Sequence, residues 1–183
     1  MPRMKRAAVP SVGELMKPSR EPEVVDLGTG AVKSHAEMAV IAVDPGDVHC
    51  GMAEGITKTN GQFLVVRAWE ATPDECADYV AGWLLSGELE ALVVERFSLY
   101  ADKATQQIGS EFETAQLIGV LKYLVRVAGN AKLAMQGADI KRSMRAQLKA
   151  RKIELLPAEA DHARDAQLHL WHYVGRNMMG WGE

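Results

Sequence analysis

The chain has 183 residues, of which 48% are hydrophobic and 25% are charged, and its formal net charge is −3. This length and balance are typical of a globular protein with one domain, or with one domain and a terminal extension. No run of about eighteen apolar residues occurs, which excludes a membrane-spanning helix. The slightly negative net charge argues, by itself, weakly against nucleic acid as a partner.

The first 36 residues differ in character from the rest of the chain. They show no strand or helix periodicity and contain four prolines, and the first twenty include five basic residues against one acidic residue. We predict a flexible basic arm over residues 1–36 and a folded domain over residues 37–183.

No apolar signal segment follows the basic start, and Cys50 and Cys76 form no CxxC pair. These features predict reduced thiols and a cytoplasmic protein.

Three strands are predicted directly after the arm. The stretch MAVIAVD (38–44) is apolar up to its final aspartate, and CGMAEGI (50–56) follows after a short turn. The stretch QFLVVRAW (62–69) is rich in β-branched and aromatic residues, and Asn60-Gly61 before it is a hairpin signal. The short connections between these three segments predict an antiparallel meander.

Helical signals begin after the meander. Thr72 is a capping residue for a helix that has Pro73 at its first position and acidic residues in its first turn, and Gly87 ends the pattern. EALVVE (90–95) predicts a fourth strand. Apolar residues at helical spacing then predict a long helix over residues 103–128.

The C-terminal part of the chain predicts one further strand and two helices. AKLAMQ (131–136) is the strand, and IKRSMRAQLKARK (140–152) is a helix with six basic residues and no acidic one. Such a helix is either a phosphate-binding surface or a solvated one, and at this point both interpretations stay open. The last helix is predicted over residues 159–176.

The order of these elements predicts an α/β fold. Strands 1–3 would form the antiparallel part of a mixed five-stranded sheet, strands 4 and 5 would be parallel, and helices would cover both faces. Right-handed crossovers place strand 4 beside strand 1. Asp44 and Glu95 end these two strands, and neighbouring strands lie roughly 4.8 Å apart, so the two carboxylates can share one ion.

The segment EADHARDAQLHLWHY near the C-terminus supplies further metal-compatible side chains. His162 and Asp165 are spaced i, i+3 and therefore share one helical face, and Asp161 is a spare candidate. Together with Asp44 and Glu95 they would offer carboxylate oxygens and one imidazole nitrogen, without sulfur. This donor set suits Mg²⁺ or Mn²⁺ better than structural zinc.

These motifs resemble those of a known family. VDPG followed by G and A, then VVERF, a long helix and HARDA, in this order, look like the RuvC family of Holliday junction resolvases within the RNase H-like superfamily, and its phage branch in particular. The resemblance covers roughly residues 38–175 and implies an RNase H-like fold. It places the catalytic and metal-binding residues at Asp44, Glu95, His162 and Asp165.

The activity that the resemblance implies is metal-dependent, structure-selective cleavage of DNA. A RuvC-like crossover junction endodeoxyribonuclease hydrolyses phosphodiester bonds in Holliday junctions or other branched DNA, in the cytoplasm of a bacterial or phage-infected cell. Two Mg²⁺ ions per site, about 4 Å apart, would clamp the scissile phosphate, with Mn²⁺ as a substitute. Asp44 would bridge both ions, and His162 would either bind a metal or act as a base; the sequence leaves this alternative open.

The resemblance also implies a homodimer and a DNA-binding surface. The long predicted helix over residues 103–128 would pair two copies, and each copy would cut one of two opposed strands. The segment before the last helix matches the family's Gly-rich, Lys-containing pattern only loosely, so a broad structure-selective cutter is also plausible. The expected DNA contacts are base stacking by Phe97 and Tyr100, and phosphate contacts by Lys103, Lys141, Arg142, Arg145 and Lys149.

Each of these residues also has an ordinary structural interpretation. Asp44 before Pro-Gly is a favoured turn residue, and Glu95 at a strand end can simply be solvated. His162, like His169 and His172, can cap or decorate its helix, and Asp165 can be a surface acid. The functional interpretation depends on all four metal-compatible groups meeting at one place.

Four other functions compete with the nuclease as interpretations of this sequence. A proofreading-type exonuclease would need Asp-x-Glu on strand 1, where this chain has Asp44-Pro45-Gly46. A sugar kinase or actin-like ATPase would need about two such domains. Zinc binding by the three histidines of the last helix lacks an obvious fourth ligand. A non-catalytic DNA-binding or assembly protein on the same fold remains the alternative from a different class.

Overall fold

The structure, a computed structural model, describes residues 38–97 and 113–181. The predicted arm over residues 1–36 lies outside the described residues, and so do Tyr100, Lys103 and the first part of the predicted long helix. The predictions made for these parts of the chain, including the domain boundary, therefore stay predictions.

The described residues form one mixed sheet of five strands, which confirms the predicted fold class. The strand order is β3-β2-β1-β4-β5. β1 pairs antiparallel with β2, and β2 with β3, whereas β1 pairs parallel with β4, and β4 with β5. The strands are β1 Met38–Asp44, β2 Cys50–Thr57, β3 Phe63–Ala71, β4 Leu89–Glu95 and β5 Lys132–Gln136.

Within residues 38–97 and 113–181, four helices cover the two faces of the sheet, again as predicted. They are α1 Pro73–Ser86, α2 Glu113–Ala128, α3 Ile140–Arg151 and α4 Asp161–Asn177. Side chains of α1 and α2 belong to one hydrophobic core cluster, and those of α3 and α4 belong to a second cluster on the other face. None of the helices in the described part of the chain is long and apolar enough to cross a membrane.

Local signals set the boundaries of α1 where the sequence predicts them. Thr72 caps the helix, because its hydroxyl accepts a hydrogen bond from the Glu75 backbone N–H at 3.3 Å. The Glu75 carboxylate in turn accepts from the Thr72 backbone N–H at 2.9 Å, which completes a capping box. Gly87 ends the helix in the left-handed conformation, with φ 76°.

The alternation of β1 decides which of its side chains reach the site. Ile41 and Val43 pack into the core under α1 and α2, whereas Val40 and Ala42 pack into the core under α3 and α4. Because successive side chains of a strand point to opposite faces, Asp44 lies on the α3–α4 face. The same alternation places Glu95 on that face, since Ala91 and Val93 of β4 belong to its core.

Gly51 of β2 allows α4 to lie directly on the sheet. A Cβ atom at this position would lie 1.9 Å from the backbone oxygen of His162 and 2.7 Å from the backbone nitrogen of Ala163. No side chain fits in that space, so glycine is required for the first turn of α4 to reach the end of β1. The close approach brings His162 next to Asp44.

We predict that Gly51→Ala lowers the free energy of unfolding by about 2 kcal/mol, because the added methyl group pushes α4 away from β2. The matched control is Gly82→Ala in α1, where a Cβ atom meets nothing within 4 Å. This control should be stabilising by about 0.5 kcal/mol, because alanine is the better helix former. Chemical denaturation of the three proteins measures both effects, and a Gly51→Ala protein as stable as wild type would refute the close approach.

Candidate metal centre

Two carboxylates lie side by side at the carboxyl ends of β1 and β4. Val43 pairs with Val94 in the parallel ladder, so the next residues, Asp44 and Glu95, leave adjacent strand ends as predicted. Asp44 is 4% exposed, and Glu95 is half-buried. The hydrophobic residues before each carboxylate bury the strands and hold both acids at this edge.

The first turns of α4 bring two further predicted site residues to the same place. His162 Nδ1 lies 2.7 Å from Asp44 Oδ2. Asp165, one turn later, faces the same cluster, because one lysine ammonium contacts Asp165, Asp44 and Glu95 together. The structure therefore brings together all four residues that the resemblance places in the site.

That lysine is Lys141, the second residue of α3. Its Nζ lies 2.6 Å from Glu95 Oε2, 2.8 Å from Asp165 Oδ2 and 3.3 Å from Asp44 Oδ1. The family resemblance predicts a phosphate contact for Lys141, but here its ammonium group lies among carboxylates. Burial alone would lower the pKa of Lys141, but the hydrogen bonds and charges of the three carboxylates outweigh burial and raise the pKa, so the lysine stays charged.

The other predicted DNA contacts of the described chain have different surroundings. Arg145 Nη2 lies 2.7 Å from Asp165 Oδ1, on the outer side of the carboxylate cluster. Arg142 and Lys149 are exposed on α3, and Phe97 is exposed two residues after Glu95. These three side chains lie on the surface, and Arg142 and Phe97 come one and two residues after the site residues Lys141 and Glu95.

His169 belongs to the site and is missing from the predicted set. It is 0% exposed, its Nε2 lies 2.8 Å from Glu95 Oε2, and its Nδ1 lies 2.8 Å from Gln136 Oε1. The buried ring thus holds Glu95 in one orientation. The sequence does contain a signal for His169, because His162, Asp165 and His169 are spaced i, i+3, i+7 and share one helical face.

The donors at this site fit a divalent cation. Asp44, Glu95 and His169 each offer one ligand atom, and these three atoms lie within 4.8 Å of one another. Carboxylate oxygens and an imidazole nitrogen, without a thiolate, are ligands that suit Mg²⁺ or Mn²⁺. The carboxylates of Asp44 and Glu95 also contact the Lys141 ammonium, which shows that this site favours positive charge.

The protonation of the cluster follows from crowding of like charges. Burial and the neighbouring Glu95 carboxylate raise the pKa of Asp44 from 3.8 to about 6, although His162 and Lys141 act in the opposite direction. Burial also tends to raise the pKa of Glu95, but hydrogen bonds with His169, Asp44 and Lys141 outweigh it and lower the pKa to about 2. The two acids titrate as a pair, and Asp44 is the one that takes up the first proton.

The loop that follows Asp44 is anchored at two points. Asp47 Oδ1 accepts hydrogen bonds from the backbone N–H of Thr114, at 3.3 Å, and from the Thr114 hydroxyl. The thiol of Cys50 donates to the Gly46 carbonyl at 3.6 Å. These contacts connect the end of β1 to the start of α2 and to β2, so the position of Asp44 is set from both sides.

We predict that Asp44→Asn stabilises the metal-free protein at pH 8 by about 2 kcal/mol. The folded state binds the Asp44 proton more tightly than the unfolded chain does. Ionisation of Asp44 therefore lowers the free energy of unfolding of the wild-type protein as the pH rises from 3.8 to about 6. The gain should therefore disappear below pH 4. Urea denaturation of both proteins in the presence of a chelator, at pH 8 and at a pH below 4, measures this difference in the free energy of unfolding.

The control for this measurement is Asp78→Asn, which changes an exposed acid of α1 that lies outside the cluster. It should change stability by less than about 0.5 kcal/mol at either pH. An Asp44→Asn protein that is less stable than wild type at pH 8 would show that the buried carboxylate is already fully compensated by its neighbours.

Comparison with known proteins places this geometry in a fold. No protein-family model matches the sequence, and the search of curated proteins found no match. RuvC of T. thermophilus, solved in complex with a Holliday junction substrate, superimposes with a TM-score of 0.53 at 16% identity, over 79% of this chain and 97% of that chain. The Holliday junction resolvase of fowlpox virus superimposes with a TM-score of 0.50 at 11% identity, over 76% of this chain and 99% of that chain.

At this level of identity the similarity shows the fold. The chain has the RNase H-like fold of RuvC-type resolvases, with the predicted antiparallel strands 1–3 and parallel strands 4 and 5. Both similar structures are matched over nearly their whole length.

Proposed function

We propose that this protein is a metal-dependent, structure-selective endodeoxyribonuclease that cuts Holliday junctions or other branched DNA by hydrolysis of phosphodiester bonds. The observation that carries the proposal is the convergence of Asp44, Glu95 and Asp165 with two imidazoles at one end of the sheet. The RuvC-type fold supports the substrate class, since the similar proteins are Holliday junction resolvases. In enzyme terms this is a crossover junction endodeoxyribonuclease.

The proposed cofactor is Mg²⁺, two ions per site, with Mn²⁺ as a substitute. Asp44, Glu95 and His169 would hold the metal, and Asp165 completes the acidic set. Such ions lower the pKa of a water nucleophile and neutralise charge that develops on the phosphate and the leaving oxygen. The protein supplies the carboxylate positions, and before metal binds, His169 orients Glu95 and contributes to the low pKa of its carboxyl.

His162 has the geometry of a group that handles a proton or a water. Its Nδ1 is held by Asp44, and its side chain is 49% exposed, so Nε2 is the ring nitrogen left for a water or a metal. Burial acts to lower the pKa of His162, but the Asp44 carboxylate outweighs it and raises the pKa. A ring held in this way resembles a histidine oriented by a carboxylate for acid–base work.

The proposed DNA surface lies around the mouth of the site. Arg142 and Lys149 are exposed on α3, and Phe97 is exposed just after β4. Exposed cations beside a carboxylate site hold phosphates without neutralising the metal ligands. Phe97 would stack on an unpaired base at a branch point.

A homodimer is proposed from the outer face of α2. Val120, Tyr123 and Val127 are 46%, 58% and 65% exposed, and their i, i+3, i+7 spacing puts them on one face. An apolar row of this kind is suited to pairing with a second copy of the same helix. Two copies would present two sites to the opposed strands of a four-way junction.

The central experiment uses a labelled four-way junction with Mg²⁺ or Mn²⁺. We expect paired, symmetric nicks near the crossover with the wild-type protein, and a loss of at least about a hundredfold in cleavage rate with Asp44→Asn. Asp78→Asn is the control and should cleave like wild type, because Asp78 is an exposed acid of α1 that lies outside the cluster.

The same assay distinguishes the nuclease from the alternative function. Tight junction binding without a nick under either metal would refute the nuclease and favour a non-catalytic DNA-binding or assembly protein on the same fold. Nicks in only one strand of each junction would refute the homodimer with two sites, while leaving the nuclease in place.

We predict that Arg142→Ala with Lys149→Ala weakens junction binding and reduces the slope of log K against log salt by about 2, since each phosphate contact contributes about 0.9. The control pair is Lys58→Ala with Lys132→Ala, because both lysines lie at the opposite end of the sheet from Asp44. This control should leave the slope unchanged. Equal slopes for wild type and the α3 double variant would exclude α3 as the phosphate-binding surface.

The proposed location is the cytoplasm of a bacterial or phage-infected cell. Cys50 and Cys76 are both free and buried, which suits a reducing compartment.

A further inference from the structure

The carboxylate cluster of the proposed nuclease already contains a cation that belongs to the protein. Lys141 Nζ contacts Glu95, Asp165 and Asp44 at 2.6, 2.8 and 3.3 Å. Each of these acids is either a proposed metal ligand or its neighbour. A lysine ammonium and a divalent ion therefore compete for the same oxygens.

The net charge of the cluster makes it unfavourable for the Lys141 ammonium and a divalent ion to occupy it together. Three carboxylates face the ammonium of Lys141 and the guanidinium of Arg145, which leaves one net negative charge. A divalent ion added to this set would give a buried excess of positive charge, and that is unfavourable at a partly desolvated site. Removal of the Lys141 ammonium restores the balance for the first divalent ion that binds.

The fold allows Lys141 to leave without moving its helix. Met144 and Leu148 anchor α3 in the core at 1% and 3% exposure. The Lys141 side chain is 17% exposed and approaches the cluster from the first turn of α3, on a flexible four-carbon stem. Because Arg142 is the next residue of the helix and is exposed, rotation of the Lys141 side chain alone would take its ammonium toward the surface that carries Arg142.

We propose that Lys141 is the resident counter-cation of the carboxylate cluster, that a divalent ion displaces it, and that the displaced ammonium then binds a DNA phosphate. The inference rests on the proposed function and adds a regulatory step to it. In the absence of metal the ammonium neutralises the cluster, and in its presence the same group becomes part of the DNA-binding surface.

The exchange couples metal binding to DNA binding. A phosphate that holds Lys141 on the surface removes the competitor from the cluster, so DNA strengthens metal binding. Linkage requires that the metal strengthens DNA binding by the same factor. The site would thus be loaded mainly when a substrate is present.

The direct test measures Mn²⁺ binding by isothermal titration calorimetry in the absence of DNA. We expect Lys141→Met to bind Mn²⁺ at least about tenfold more tightly than wild type, because a positive charge in direct contact with the ligands has been removed. Arg142→Met removes the same charge from the neighbouring, exposed position and should stay within about twofold of wild type. Equal or weaker binding by Lys141→Met would overturn the proposal.

A second measurement uses the wild-type protein, so the proposal stays testable if the variant does not fold. Reductive methylation followed by mass spectrometry reports how accessible each lysine amine is. We expect added Ca²⁺ or Mn²⁺ to increase the labelling of Lys141 several-fold and to leave that of Lys149 unchanged. Labelling of Lys141 that is unaffected by saturating metal would overturn the exchange.

Failure of this inference is distinguishable from failure of the proposed function. If wild type and Lys141→Met bind Mn²⁺ equally well and the junction is still cut, the nuclease stands and the exchange is wrong. If neither protein binds Mn²⁺ and Lys141 labelling does not respond to metal, the metal centre itself is refuted.

Discussion

Repulsion between the buried carboxylate of Asp44 and the half-buried carboxylate of Glu95 is the constraint on which this site depends. Asp44 and Glu95 end neighbouring parallel strands, and the pairing of β1 with β4 leaves them no room to separate. Ionised acids so close together in a partly desolvated place are unfavourable unless positive charge or hydrogen-bond donors surround them. Lys141, His162 and His169 provide this compensation from two different helices. The site is therefore built to attract cations, whichever cation it holds.

The rest of the fold keeps that unfavourable pair in place. The strands that carry the acids are buried on both faces by hydrophobic residues, so their ends cannot drift apart. Gly51 lets α4 lie on the sheet, and α4 carries three of the polar groups of the site on one face. Among the basic side chains of α3, Lys141 and Arg145 contact the carboxylate cluster, whereas Arg142 and Lys149 are exposed. One helix thus connects the acidic centre with a basic surface.

Most of the fold could be predicted because its signals are local. The capping box of Thr72, the Asn60-Gly61 turn and the apolar strands each depend on a few adjacent residues. Strand order needed one additional rule, the right-handed crossover, which leaves few arrangements for this order of elements. The gathering of Asp44, Glu95, His162 and Asp165 followed from strand order together with helical spacing. Their roles as ligands remain a proposal.

The sequence by itself determined the strands, the helices and the acids at the strand ends, because periodicity and turn chemistry act over short distances. Only the tertiary structure decided that His169 clamps Glu95 and that the Lys141 ammonium lies among the carboxylates. A histidine on an apolar helix and a lysine in a basic helix have several ordinary interpretations. Which one applies depends on where the α3 and α4 helices cross the sheet, and this is set by packing of side chains distant in sequence.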